Sequence, residues 1–283
     1  MNILINGRSA DITLEKEKNL GDVLSGLEEW LYGSGHHVSG INVDGERVNA
    51  LSFSGVMDRP VEEISDLSVT TSSWAELAVE ALLDTRRDAE DYENTEFGQR
   101  AQFFSAWRES PEARHLENRF PGLFRTACMV FSGEALNPGE LRSLIDERIR
   151  EMKDPSGELG LLSRLVEETA LRLEDLPLDI QTGKDGRAAE TVQIFSALAE
   201  KILRIFGILK AEGFEVSGLM AEGLPVYTYI EELGTALKEL LAAYESKDVV
   251  LVGDLAEYEL APRLRNIYRV INTPASTAEP GRM

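Results

Sequence analysis

Every strand signal in this 283-residue chain falls in its first seventy-odd residues, and everything after them has the period of helix. Residues 1–7 are an apolar run ending in Asn6-Gly7, a pair suited to the left-handed positions of a tight hairpin turn. Residues 10–14 alternate apolar and polar and are the expected partner of that strand. Residues 19–31 place Leu20, Val23, Leu24, Leu27 and Leu31 on one stripe, as a helix lying on a sheet requires. Residues 40–43, closed by Asp44-Gly45, and residues 66–71 supply the remaining strands. The expected fold class is α+β: a small sheet domain followed by an all-α region.

Helix punctuation divides the rest. Ser72 or Ser73 is the expected N-cap of a helix over residues 74–83, and a second helix starts near Thr95 and runs through Phe103, Phe104 and Trp107. Ser110-Pro111 has the order of a cap and a first helical residue, and Asn137-Pro138 repeats it with Glu140 placed for a capping box. Asp154-Pro155-Ser156-Gly157 is a break. Four helices are expected beyond it. The first covers residues 159–176 and stops at Pro177; the second covers 187–211 with a wide apolar face, including Phe195, Ile202 and Phe206. The third covers 227–244, and the fourth, over 248–271, is bent or divided by Pro262. The expected divisions are residues 1–72, a helical connection over 73–153, an antiparallel helical bundle over 154–272, and a flexible tail over 273–283.

Charge narrows the function classes. The chain holds 50 Asp and Glu against 29 Lys and Arg, a net charge of -21. The excess is spread along the chain, with no basic patch, so nucleic acid and anionic lipid are expected to be repelled. No apolar run reaches the roughly 18 residues that span a bilayer, and the N-terminus does not read as a secretory leader. The single cysteine, Cys128, excludes an internal disulfide. The expected location is the cytoplasm.

The stretches Ile3-Leu-Ile-Asn-Gly7, Asn19-Leu-Gly-Asp-Val-Leu24 and Ile41-Asn-Val-Asp-Gly45 resemble the ubiquitin-like β-grasp fold, and within it the small sulphur-carrier proteins. That resemblance covers about a quarter of the chain and implies a scaffold that docks proteins. Such carriers end in an exposed Gly-Gly whose carboxylate is activated. Here Val69-Thr-Thr-Ser-Ser73 stands in that place and the chain continues, so carrier chemistry is not implied. The acidity and helix hairpins of the remaining chain are similar, in architecture alone, to bacterial export chaperones for filament subunits.

Two stretches stand out as sites. Thr182, Gly183, Lys184, Gly186 and Arg187 open a helix with two glycines and two cations, an arrangement that favours an anion at unpaired N–H groups. The pattern lacks the upstream glycine and the hydroxyl after lysine of a phosphate loop and follows a helix, not a strand, so a turn with Asp185 as cap of the next helix is the favoured reading. Tyr244, with Glu257, Tyr258, Glu259 and Arg263 near the expected proline bend, reads equally as a partner groove and as the place where one helix curves to close the bundle; Glu259 and Arg263 lie one turn apart and suit an ion pair. His36-His37 reads as a polar loop without metal-ligand spacing, and Cys128 as an inert apolar neighbour. The acid pairs Glu28-Glu29, Glu167-Glu168, Glu174-Asp175 and Glu231-Glu232 point about 100° apart on their helices and do not share a site. No catalytic residue, cofactor or metal is expected. The expected function is a non-enzymatic adaptor for another protein, basic or helical; the alternatives are an export chaperone holding a helical segment in the bundle, and a nucleotide- or anion-binding enzyme using the 182–187 loop.

Overall fold

Asn6 and Gly7 both lie in the left-handed region, with φ of 50° and 74°, so the chain reverses within two residues. Strand β1 (Asn2–Ile5) therefore pairs at once with β2 (Arg8–Ser9), Ile5 opposite Arg8 and Leu4 opposite Ser9. This corrects the expected partner at residues 10–14: the two-residue turn sets the register so that Arg8 and Ser9 face Ile5 and Leu4, and among the described residues beyond them the Ala10 N–H continues the ladder, donating to the Ile3 carbonyl at 2.9 Å. The computed structural model describes residues 1–10, 12–14, 16–32, 35–48, 56–134 and 137–273; Asp11 and the expected tail after residue 273 lie outside them.

Five strands make one mixed sheet in the order β2-β1-β5-β3-β4. β1 runs parallel to β5 (Asp66–Ser73), with Ile3 opposite Leu67 and Ile5 opposite Val69. β3 (His36–Val43) lies antiparallel to β5, and β4 (Glu46–Arg47) closes the edge after the Asp44-Gly45 turn. His36 and His37 are strand residues opposite Ser73 and Ser72, not a loop, because β5 is long enough to carry β3 that far back. Helix α1 (Leu20–Tyr32) lays Leu20, Val23, Leu24 and Leu27 against Ile3, Ile41, Val43, Leu67 and Val69. Asp44 ties the domain together: its Oδ1 accepts from the Ser65 and Asp66 N–H groups at 2.9 Å each, and its Oδ2 meets Arg59 at 2.7 Å.

β5 passes directly into α2 (Trp74–Asn94). The Ser73 hydroxyl accepts from Glu76 N–H at 3.1 Å while the Glu76 carboxylate accepts from Ser73 N–H at 2.7 Å, a complete capping box. The next helix begins later than expected, as α3 (Arg100–Arg108), because Thr95 is extended and a short 3-10 turn intervenes at Phe97–Gln99. α4 (Pro111–Arg119) and α5 (Pro121–Ser132) follow, and Tyr92, Phe103, Trp107 and Phe131 stack edge to face among α2, α3 and α5. α6 (Pro138–Lys153) starts with the expected Asn137–Glu140 box. The contacts separate into two units, Met1–Ile149 and Arg150–Met283.

In the second unit α7 (Pro155–Gly160) and α8 (Ser163–Glu174) precede α9 (Leu176–Gln181). The helix before Pro177 ends at Glu174 with Asp175 as its C-cap, just ahead of the proline as expected, and Pro177 then lies in the first turn of α9, where a residue without an N–H is at no disadvantage. α10 (Asp185–Ala211) buries Phe195, Leu198, Ile202, Ile205 and Phe206. A short hairpin, β6 (Met220–Ala221) with β7 (Leu224–Pro225), turns through Glu222 and Gly223 at φ of 52° and 82°, and α11 (Val226–Glu245) follows. The hairpin has too few residues to show period-2 alternation, and only its Glu-Gly turn signals it in the sequence.

The last helix is continuous, α12 (Val249–Asp254) running through a π segment, Leu255–Leu260, into α13 (Ala261–Asn272). Buried Val252, Ala256, Leu260 and Leu264 recur every fourth residue. In a pure α-helix that stripe drifts by about 40° per step. The wider π turns absorb the drift and keep these residues on the core, and Pro262 sits just after them, where its missing N–H is accommodated.

Candidate functional site

The residues Thr182–Arg187 form the corner between α9 and α10. Gly183 N–H donates to Ile180 O at 3.1 Å and Lys184 N–H to Asp179 O at 2.8 Å, with Gly183 at φ 71°. These bonds define a Schellman turn, and glycine is there because an added Cβ in the left-handed region is opposed by its own backbone. Thr182 Oγ1 donates back to the Leu178 carbonyl at 2.7 Å. Asp185 does not cap α10: the N-cap is Lys184, without a side-chain bond, and Asp185 sits in the first turn because the corner ends one residue earlier than a capping aspartate needs.

Both cations of this corner face a carboxylate of the protein itself. Asp179 is 3% exposed, and its oxygens lie 3.5 Å from Lys184 Nζ and 3.1 Å from Arg187 Nε. A buried carboxylate is stable only when paired, and these two cations pair it. Gly186 opens α10 with free space around it.

The surroundings of Pro262 are built in the same manner. Arg263 reaches Glu259 at 2.8 Å and, from the facing helix α11, Glu232 at 2.8 Å, and its guanidinium lies 5.2 Å from the centre of the buried Tyr229 ring. The expected Glu259–Arg263 pair is thus present, with Glu232 and Tyr229 added by tertiary packing. Glu257 and Tyr258 take no part in this network. Tyr258 is 66% exposed, and its hydroxyl bonds to Glu257, which holds its pKa above the ordinary phenol value. Tyr244 lies elsewhere, half-buried near the end of α11, where it lines a hollow of about 350 Å³ with Ile180, Asp185, Lys247, Val249 and Val252. The corner and Tyr244, distant in sequence, meet there; Tyr258 and Arg263 do not join them.

Several charged groupings carry no sequence signal. Arg265 of α13 holds Glu167 at 2.8 Å and also Glu174, so two members of the acid pairs are gripped by one arginine and are not simply solvated. Glu151 is wholly buried against Arg204, with Lys201 Nζ at 3.7 Å. Such pairs join helices 50 to 100 residues apart in sequence, and no periodicity encodes them. In the first unit, Asp88 is pushed up to about 6, by burial first and then by Glu112, Asp84 and Asp91. Cys128 is partly exposed and not buried as its apolar neighbours suggest; burial still pushes its thiol up, against the effect of Arg108. On the sheet domain, Ile5, Ile12, Leu14, Val23 and Leu27 line a cleft of about 500 Å³ beside Trp30, which is 68% exposed.

Among the described residues no helix is long and apolar enough to cross a membrane, and no group of three or more His, Cys, Asp or Glu is placed to hold a metal ion. Residues 1–73 match the family described as TP0873 N-terminal domain. That match ends at Ser73, the residue through which β5 caps α2. Residues 161–270 match a domain of unknown function (DUF8042), which lies within the second unit. An uncharacterized protein of Treponema pallidum (strain Nichols) is 22% identical over 267 residues, covering 94% of each chain. No solved structure matches. The similarity thus extends over both the mixed-sheet N-terminal domain and the helical body of this chain.

Proposed function

We propose that this chain is a non-enzymatic cytoplasmic adaptor that binds another protein, with a β-grasp-like head and an acidic helical body. The observation that carries the reading is the exposure of two large aromatic side chains, Trp30 at 68% and Tyr258 at 66%, on helices whose other faces are well packed. Aromatic groups held in solvent beside an apolar cleft or an acidic turn are the anchors that protein interfaces favour. Strand order β2-β1-β5-β3-β4, with β1 and β5 parallel under one helix, supports the β-grasp reading of the head. The pairing of Lys184 and Arg187 with Asp179 weighs against an anion site at that corner, since a ligand has to compete with an internal carboxylate.

The experiment is co-purification of the tagged full-length protein from its native cells, comparing wild type, Trp30→Ala, Tyr258→Ala and the double change Glu257→Lys, Glu259→Lys. Both aromatics are exposed, so their truncation leaves the melting temperature close to wild type. Loss of one captured protein on Trp30→Ala or Tyr258→Ala, with the melt unchanged, supports the proposal. Retention of every captured protein by all variants overturns it.

A further inference from the structure

Among the described residues four helices end in the same Schellman turn. At the end of α5, Glu134 N–H donates to Met129 O at 3.0 Å and Gly133 N–H to Val130 O at 3.1 Å. The corner after α9 uses Lys184 and Gly183 in the same way. After α10, Phe214 N–H reaches Leu209 O at 2.9 Å and Gly213 N–H reaches Lys210 O at 3.1 Å. After α11, Asp248 N–H reaches Ala243 O at 2.9 Å and Lys247 N–H reaches Tyr244 O at 3.1 Å. The left-handed residue is Gly133, Gly183 and Gly213 in three of them, but Lys247, at φ 61°, in the fourth. A side chain is disfavoured at that position, so the lysine is present at a backbone cost.

What this lysine borders is the hollow of about 350 Å³ that joins α9, α10, α11 and α12. Ile180, Val249, Val252 and the Tyr244 ring give it apolar walls, and Lys247 and Asp185 contribute one positive and one negative group. Neither of those charges has an ion pair or side-chain hydrogen bond among the described residues. Elsewhere in this unit cations are drawn onto the protein's own acids, as at Asp179, Glu151 and Glu167. Here the two opposite charges line one hollow and do not meet. The volume lies at the small end of ligand pockets.

We propose that this hollow binds a free α-amino acid with an apolar side chain. Its carboxylate meets Lys247, its ammonium meets Asp185, and its side chain lies against Ile180, Val249 and Val252. A simple anion is opposed by Asp185, and a purely apolar ligand leaves both charges unused and partly desolvated. This inference goes beyond the adaptor reading and does not depend on it.

The test is thermal unfolding and calorimetric titration of the full-length protein with L-leucine, with glycine, 4-methylpentanoate and leucinamide as comparisons. A ligand that binds only the folded state raises the transition temperature saturably. The expected result is a saturable rise with leucine and a response at least about tenfold weaker for glycine, which lacks the side chain, and for the two compounds that lack one charge each. Lys247→Gly removes the ammonium and relieves the backbone, so this variant melts no lower than wild type yet loses the leucine response. Asp185→Asn, at an exposed position, loses it as well. Absence of a saturable leucine response in wild type overturns the proposal, as does an undiminished response in Lys247→Gly, or an equal response to 4-methylpentanoate.

Discussion

Arg204 grips Glu151 through two parallel hydrogen bonds, Nε to Oε2 at 2.8 Å and Nη2 to Oε1 at 2.9 Å, and the carboxylate is wholly excluded from solvent. A forked pair of this kind fixes α10 against the end of α6 with a geometry that a single charge contact does not specify. Its desolvation cost is large, and the pairing offsets it only while both partners are present.

Glu151→Ala therefore removes the forked partner of Arg204 and leaves a buried void beside it, while Lys201 keeps Glu158 at 3.6 Å. The expected loss is about 3 kcal/mol, the lower part of the range for breaking a buried pair, because Arg204 is itself 26% exposed. Urea unfolding of the two proteins measures it. A loss below about 1 kcal/mol places the pair with ordinary surface contacts.

Gly183→Ala tests the corner between α9 and α10. No atom lies within 4 Å of the added Cβ, so the whole effect is the conformational cost of a side chain at φ 71°. The expected destabilisation is about 1 kcal/mol. Gly186→Ala, where φ is not positive and space is also open, is expected to be neutral or slightly stabilising within a helix. Equal effects of the two changes in chemical denaturation count against the turn as described.

Asp88 gives the stability a pH dependence of unusual sign. Its carboxyl is raised from the ordinary 3.8 to about 6 in the folded protein, by burial first and then by neighbouring acids. Below pH 4 both folded and unfolded forms are protonated and the group contributes nothing. As pH rises from about 4 to about 6 the unfolded chain releases this proton first, so stability falls, and above that window the penalty is constant. Asp88→Asn is expected to match wild type below pH 4 and to exceed it at pH 7 by about 1 kcal/mol, a figure discounted for the solvent that still reaches the carboxyl. Melting curves across pH 3.5 to 7.5 read the difference; parallel curves for the two proteins refute it.

Arg263→Lys keeps the charge beside Pro262 but loses the fork that reaches Glu232 and Glu259 together, and weakens the cation contact over the Tyr229 ring. A loss of about 1 kcal/mol is expected, most of it persisting in high salt because the Tyr229 ring is buried and its contact with the cation is little screened. Thermal melts at low and high ionic strength check both parts. Full recovery of the difference in salt assigns it to charge alone.

Local rules are legible in the sequence by itself. The Asn6-Gly7 and Asp44-Gly45 turns, the apolar stripe of α1, the Ser73–Glu76 and Asn137–Glu140 boxes and the Glu259–Arg263 pair all depend on residues at most four or so positions apart, and each has one physical solution at that spacing. The α+β division follows from the same signals, because periodicity changes from 2 to 3.6 once and does not change back for any long segment. Tertiary structure decided what spacing does not encode. It moved the hairpin partner to Arg8–Ser9, set Pro177 in the first turn of a further short helix, and widened the last helix to π geometry so that every fourth residue reached the core. It supplied Asp179 to the cations of the corner, Glu232 to Arg263 and Arg204 to Glu151. It also set Tyr244, Asp185 and Lys247 around one hollow. The physical reason is range: turns and caps are settled within a few bonds of backbone, whereas a buried charge finds its partner only after distant helices have packed and the solvent between them has been removed.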